Sequence, residues 1–153
     1  MALARARTMA LDLGQRRIGV AVSDELGMTA QGLETIQRQR LSQDLQALAK
    51  LAREWGAARW LLGLPRQMNG EEGTQAQAAR RFGAALLRHT HLPLEYWDER
   101  LTTVEAQRLL RAAGSSLGQR QRAVDKMAAV ILLQAYLEHE RNKEVSAPLI
   151  VEE

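Results

Sequence analysis

The sequence predicts an α/β fold built on one mixed five-stranded sheet, in the order β-β-β-α-β-α-β-α-α, with helices on both faces. Three observations predict it. Two apolar runs joined by a three-residue connector open the chain; helical spacing of apolar residues begins only after a third short run; from there, apolar strands and amphipathic helices alternate. A strand meander followed by alternating helices and strands makes a sheet that is antiparallel on one side and parallel on the other.

Residues 7 to 13 and 17 to 23 are the first two strands, and Gly14-Gln15-Arg16 connects them through a glycine able to take a positive φ. A third short strand is expected near 31 to 36, after a turn at Gly27 and with Gly32 inside it. Leu41, Leu45, Leu48, Leu51, Ala52 and Trp55 then recur at helical spacing, and Gly56 stops the pattern. Arg59 to Leu64 reads as a buried strand closed by Pro65, and Gln67 to Gly73 as a loop. Thr74 and Gln77 have capping-box spacing for a helix to about Arg88, and Leu92 to Asp98 is a second buried strand. Thr102 and Glu105 repeat that spacing for a helix to about Ala113, broken by Gly114 to Gly118. The last helix, roughly 120 to 140, carries Val124, Met127, Ala128, Ile131, Leu132 and Ala135 along one face. One domain over residues 1–153 is expected, with an ordered core of about 7–140 and a loose tail at 145–153 containing Pro148. Among well-populated folds, this order points to the RNase H-like one.

No apolar run approaches the roughly 20 residues a membrane helix needs, and the first eight residues contain no apolar signal core. With no cysteine, disulfides and thiolate sites are excluded, and a cytoplasmic location is expected. The net charge is +3, a weak pull on a polyanion, but arginine supplies 18 of the 21 basic groups, and its planar fork suits phosphate. A genome rich in G and C would produce the same bias.

Chemistry is concentrated in the acids. Asp12 lies near the carboxyl end of the first strand, Asp98 and Glu99 at the end of the fifth, and Asp125 near the start of the last helix. Carboxyl ends of strands in an open α/β sheet converge on one crevice. Asp12 sits in an apolar strand, where an unpaired charge is strongly penalised; Asp98 and Glu99 also fit the start of a loop, and Asp125 also fits a helix's first turns, where the macrodipole favours an anion. Converging carboxylates repel one another unless a cation lies between them, and hard oxygen ligands select Mg²⁺ or Mn²⁺. Such a site suits phosphodiester hydrolysis. His89, His91 and His139 show no ligand or triad pattern, and Trp55, Trp60 and Trp97 are expected in or near the core.

Four motifs in order resemble the YqgF/RuvX family of Holliday junction resolvases: Leu11-Asp12-Leu13-Gly14 with Arg17 to Asp24, Gly63-Leu64-Pro65 with Met68-Asn69-Gly70 and Gly73, Asp98 to Thr103, and Val124 to Ala129. The resemblance covers about residues 8 to 140. It implies an RNase H-like fold, a homodimer, metal dependence, and nuclease action on four-way DNA junctions or on the 5′ end of the small-subunit ribosomal RNA precursor. It assigns Asp12, Glu99 and Asp125 to the acidic, metal-holding positions, and implies that the adjoining Asp98 shares the catalytic role. The RuvC resolvases, a more distant likeness, carry an acid at the end of the fourth strand, where this chain has Gly63-Leu64-Pro65, and two acids three residues apart on the final helix, where this chain has Arg122 before Asp125.

Backbone N–H groups of the Arg66 to Gly73 loop and the following helix offer a phosphate site. Arg66, Asn69, Arg80, Arg81 and Arg100 around it, and Arg16 and Arg17 by the first hairpin, are the expected nucleic-acid contacts. Two other readings compete: a non-catalytic junction- or ribosome-binding protein, and an actin-like phosphate-binding domain, which Leu11 to Gly14 followed by a hairpin also resembles.

Overall fold

The computed structural model describes residues 7–102 and 117–146, and among the latter the side chains of 127–143. β1 (Arg7–Leu13) and β2 (Arg17–Ser23) form the expected hairpin, with Asp12 opposite Gly19 and Leu13 opposite Ile18. Gly14 serves it by close approach and not by a positive φ. Its N–H donates to the Arg17 carbonyl at 2.9 Å, and a Cβ would stand 2.8 Å from that oxygen.

The expected third strand is split into β3 (Ala30–Gly32) and β4 (Ile36–Gln37), which pair with opposite ends of β2. Between them Leu33 turns inward, buried, with its N–H on the Val20 carbonyl. A short, broken strand of this kind is an ordinary way to blunt a sheet edge. α1 (Leu41–Trp55) ends on Gly56 at φ 64°, as the sequence indicates. β5 (Ala57–Leu64) lies parallel to β1, and β6 (Leu94–Asp98) parallel to β5, so β1 is central in the order β3-β2-β1-β5-β6.

α2 (Thr74–Thr90) corrects the expected capping box: Gly73, in extended conformation, is the N-cap, Thr74 is already helical, and no side chain caps the end. At its other end His91 closes the helix in the left-handed region at φ 59°, and the buried Trp60 indole donates to Thr90 Oγ1 at 2.9 Å. α3 (Leu117–Ser146) begins earlier and runs further than expected, so Val145 and Ser146 are helical and not tail. The helix expected after Thr102 and the tail from 147 lie outside the described residues. No described helix is long and apolar enough to cross a membrane.

Strand alternation separates two cores. Met9, Leu11, Val20, Trp60, Leu62 and Leu64 face α1 and α2. Ala10, Ala21, Leu61 and Trp97 face α3, against Leu132, Leu133 and Tyr136. Asp12, two residues beyond Ala10, therefore lies on the α3 side of the sheet.

Candidate active site

The same alternation sorts the acids at the end of β6. Tyr96 belongs to the α1 and α2 core and Trp97 to the α3 core. Asp98 accordingly joins a cluster with the Pro65 to Gly73 loop, while Glu99, the first residue of a 3₁₀ turn (Glu99–Leu101), turns toward α3. Adjacent in sequence, the two acids have different surroundings.

Glu99 reaches back across β5. A Cβ on Gly63 would lie 2.6 Å from Glu99 Oε1 and 2.6 Å from Leu132 Cδ1, so the missing side chain at this position makes room for the carboxyl group. There Glu99 shares a hydrogen bond with Asp12. Burial first, then that bond and the charge of Asp12, and last the charge of Asp98, push the Glu99 carboxyl up to about 8. Burial and the neighbouring Asp12 carboxylate thus both favour a proton on Glu99 near neutrality. Asp125 stands on α3 two turns before Leu132, the residue that closes over Gly63; its side chain lies outside the described residues. Among the described residues, no cluster of three or more carboxylate or imidazole groups forms a metal-ligating set.

Asp98 is engaged by cations. Its Oδ1 accepts the Arg100 backbone N–H at 3.0 Å, its Oδ2 accepts Arg100 Nη2 at 2.6 Å, and Arg66 Nη1 lies 4.0 Å from Oδ2. The Arg100 hydrogen bonds hold this carboxyl below its usual range despite some burial. Arg66 also approaches Glu72 at 3.6 Å, and Glu72 receives Arg80 through two guanidinium nitrogens. Arg80 in turn lies over the Tyr96 ring, 4.9 Å from its centroid.

Of the expected nucleic-acid contacts, then, Arg66, Arg80 and Arg100 are gathered into one patch and bound to carboxylates of this chain. Asn69 accepts the Glu71 N–H and shapes the loop. Arg81 is exposed on α2, and Arg16 and the half-buried Arg17 lie at the separate β1–β2 turn. That turn is tied down by Arg38, which donates to the Gly14 carbonyl at 2.7 Å and was given no role by sequence reasoning. Gly63 and Glu72 were likewise missed. A glycine inside a buried strand was the available signal for Gly63; nothing marked Glu72. Trp60 and Trp97 are buried as expected, and Trp97 meets Tyr136 and His139 edge-on.

The family model for RuvX, described as Holliday junction resolvase, matches residues 6–139. This chain belongs to the RuvX family. RuvX-family relatives include proteins named "Putative pre-16S rRNA nuclease" from Symbiobacterium thermophilum, 51% identical over 84% of this chain and 89% of that one, and from Geobacillus kaustophilus, 47% identical over 88% and 99%. The chain is therefore a nuclease-family protein spanning nearly the whole of these relatives. The fold is shared with Thermus thermophilus RuvC, solved in complex with a Holliday junction substrate, at a TM-score of 0.58 over 88% of this chain and 96% of that one. At 11% identity this likeness concerns the RNase H-like architecture alone.

Proposed function

We propose that this RuvX-family chain is a divalent-metal-dependent endonuclease that cuts structured nucleic acid, with the 5′ region of precursor 16S ribosomal RNA as its substrate. The reading rests on one observation: Glu99, lying over Gly63, shares a hydrogen bond with Asp12, far off in sequence, and that contact with burial raises its carboxyl toward neutrality. That fits a hard cation, because the donors are oxygens and the site gathers more carboxyl groups than it keeps ionised. Asp12 and Glu99 would hold Mg²⁺ or Mn²⁺ with Asp125 from α3. Bound there, the cation supplies Lewis-acid stabilisation to the oxygens of a phosphodiester.

The chain's own residues do the rest. The hairpin and β6 fix the two carboxyl groups on the α3 face of the sheet, and Leu132 limits the space beside them. Arg16 and Arg81 are exposed for phosphate contacts, and Arg66 and Arg100 border the site through Asp98. The names of the relatives favour RNA, and the family description keeps four-way DNA as the comparison substrate.

The test is a parallel cleavage assay on precursor 16S RNA and on a four-way DNA junction, with Mg²⁺, Mn²⁺ or chelator. Metal-dependent RNA cleavage is expected, lost in Asp12→Asn and Glu99→Gln while binding persists. Wild-type cutting by both variants would remove the site. Cutting of DNA alone would reverse the substrate assignment, and tight binding without any cutting would make the chain a binding protein.

A further inference from the structure

The loop following β5 is fastened more firmly than a connector requires. Gln67 N–H donates to the Glu71 carbonyl at 2.9 Å and Gly70 N–H to the Gln67 carbonyl at 2.8 Å, so the loop closes on itself. Gly70 stands at φ 88°, and a Cβ there would be 3.3 Å from Arg100 Nη1, so the guanidinium lies directly against the loop backbone. Arg66, at the base of the loop, bridges Glu72 at its far end and Asp98 at the end of β6. Glu72 carries Arg80, which is spread over Tyr96. Charges therefore alternate along Arg100, Asp98, Arg66, Glu72 and Arg80, and the two outer arginines rest on Gly70 and Tyr96. Isolated surface pairs contribute little, but a forked network around a carboxylate only 18% exposed is a different case. Asp98 joins this network to the site: it contacts both arginines that grip the loop, and its neighbour is Glu99.

We infer that Asp98 is a positioning residue that clamps the Pro65 to Gly73 loop and Arg100 in one arrangement beside Glu99, ready for the nucleic-acid backbone, and that it is not one of the metal-holding carboxylates. The inference rests on the nuclease reading above and assigns a role within that site. Preformed contacts lower the ordering that substrate binding must otherwise bring about, so the clamp acts on substrate affinity.

Asp98→Asn tests it, because the amide oxygen still accepts the Arg100 backbone N–H while the charge facing both guanidinium groups is removed. With metal and the RNA substrate, KM is expected to rise roughly five- to tenfold, with kcat and the half-saturating metal concentration unchanged. Asp98→Glu, which keeps the charge, is expected to recover most of that loss. Trypsin should cut the Arg66–Gln67 bond faster in Asp98→Asn than in wild type, well below either melting temperature. A raised metal requirement with lower kcat and unaltered KM would make Asp98 a ligand and overturn the inference. A lower melting temperature with wild-type kinetics would reduce it to a structural residue and overturn it as well. If wild type cuts no substrate, the nuclease reading fails separately, and RNA binding by fluorescence anisotropy decides the clamp: equal affinity in wild type and Asp98→Asn refutes it.

Discussion

Adding one methyl group at Gly63 is the sharpest perturbation of this site. An alanine Cβ there would stand 2.6 Å from both Glu99 Oε1 and Leu132 Cδ1, against the roughly 3.5 to 4.0 Å of an unstrained carbon contact. Each neighbour must therefore retreat by about 1 Å. Neither is free to do so without loss: Leu132 is 2% exposed in the α3 core, and Glu99 is bonded to Asp12. Overpacking of this kind costs about 1 to 3 kcal/mol of stability. A displacement of about 1 Å at a reacting group lowers turnover by about a hundredfold. Gly56→Ala provides the comparison, because Gly56 has φ 64° and no atom within 4 Å of a built Cβ. That variant should lose about 1 kcal/mol through backbone strain alone and keep its turnover. Urea melts and single-turnover cleavage of both variants measure the two effects. Wild-type cleavage by Gly63→Ala would show that Glu99 does not act from the position over Gly63.

Metal-free protein should lose stability as pH rises. Glu99 has a folded-state value pushed up to about 8 from an ordinary 4.5, so below 4.5 it is protonated folded or unfolded and adds no pH dependence. Between the two values the folded protein keeps a proton the unfolded chain has released, and stability falls by at most about 1.4 kcal/mol per pH unit, levelling above 8. Asp12→Asn removes the neighbouring charge, lowers the Glu99 value and flattens that slope; identical slopes in urea melts with chelator present would contradict the pairing. On the other face, Gly83→Ala would drive a Cβ into the Tyr96 hydroxyl and should cost about 1 to 3 kcal/mol. Tyr96→Phe in the same chain removes the oxygen and should restore part of that loss, so a double variant as unstable as the sum of its singles would refute the contact.

Local chemistry made some features legible and left others hidden. The first hairpin could be read to the residue because both strands are apolar runs around an obligatory short connector, and Gly56 could be read as a helix stop because its left-handed conformation suits glycine. The broken edge strand could not, since the split depends on Leu33 finding the core beneath β2. Thr74 and Gln77 have the spacing of a cap, yet the cap falls on Gly73, where an extended glycine precedes the helix. The separation of Asp98 from Glu99 was half visible. Strand alternation places them on opposite faces, but only the packing of Trp97 against α3 tells which face is which. Arg66, Arg80 and Arg100 read as free cations because Glu72 and Asp98 become their partners only after the loop has closed. Asp125 lies on α3, two turns before Leu132, because the apolar stripe around it has helical spacing.

The sheet has one coarse side and one fine side. Leucine, tryptophan and phenylalanine fill the space beneath α1 and α2, whereas Ala10 and Ala21 keep β1 and β2 low beneath α3, and β5 alternates the bulk of Leu61 with the gap at Gly63. A random library spread over both layers would therefore yield unequal survivors. Variants of the coarse layer can exchange bulk among many partners and stay active, while each small residue of the fine layer acts as a spacer, setting how near a long helix may approach the hairpin.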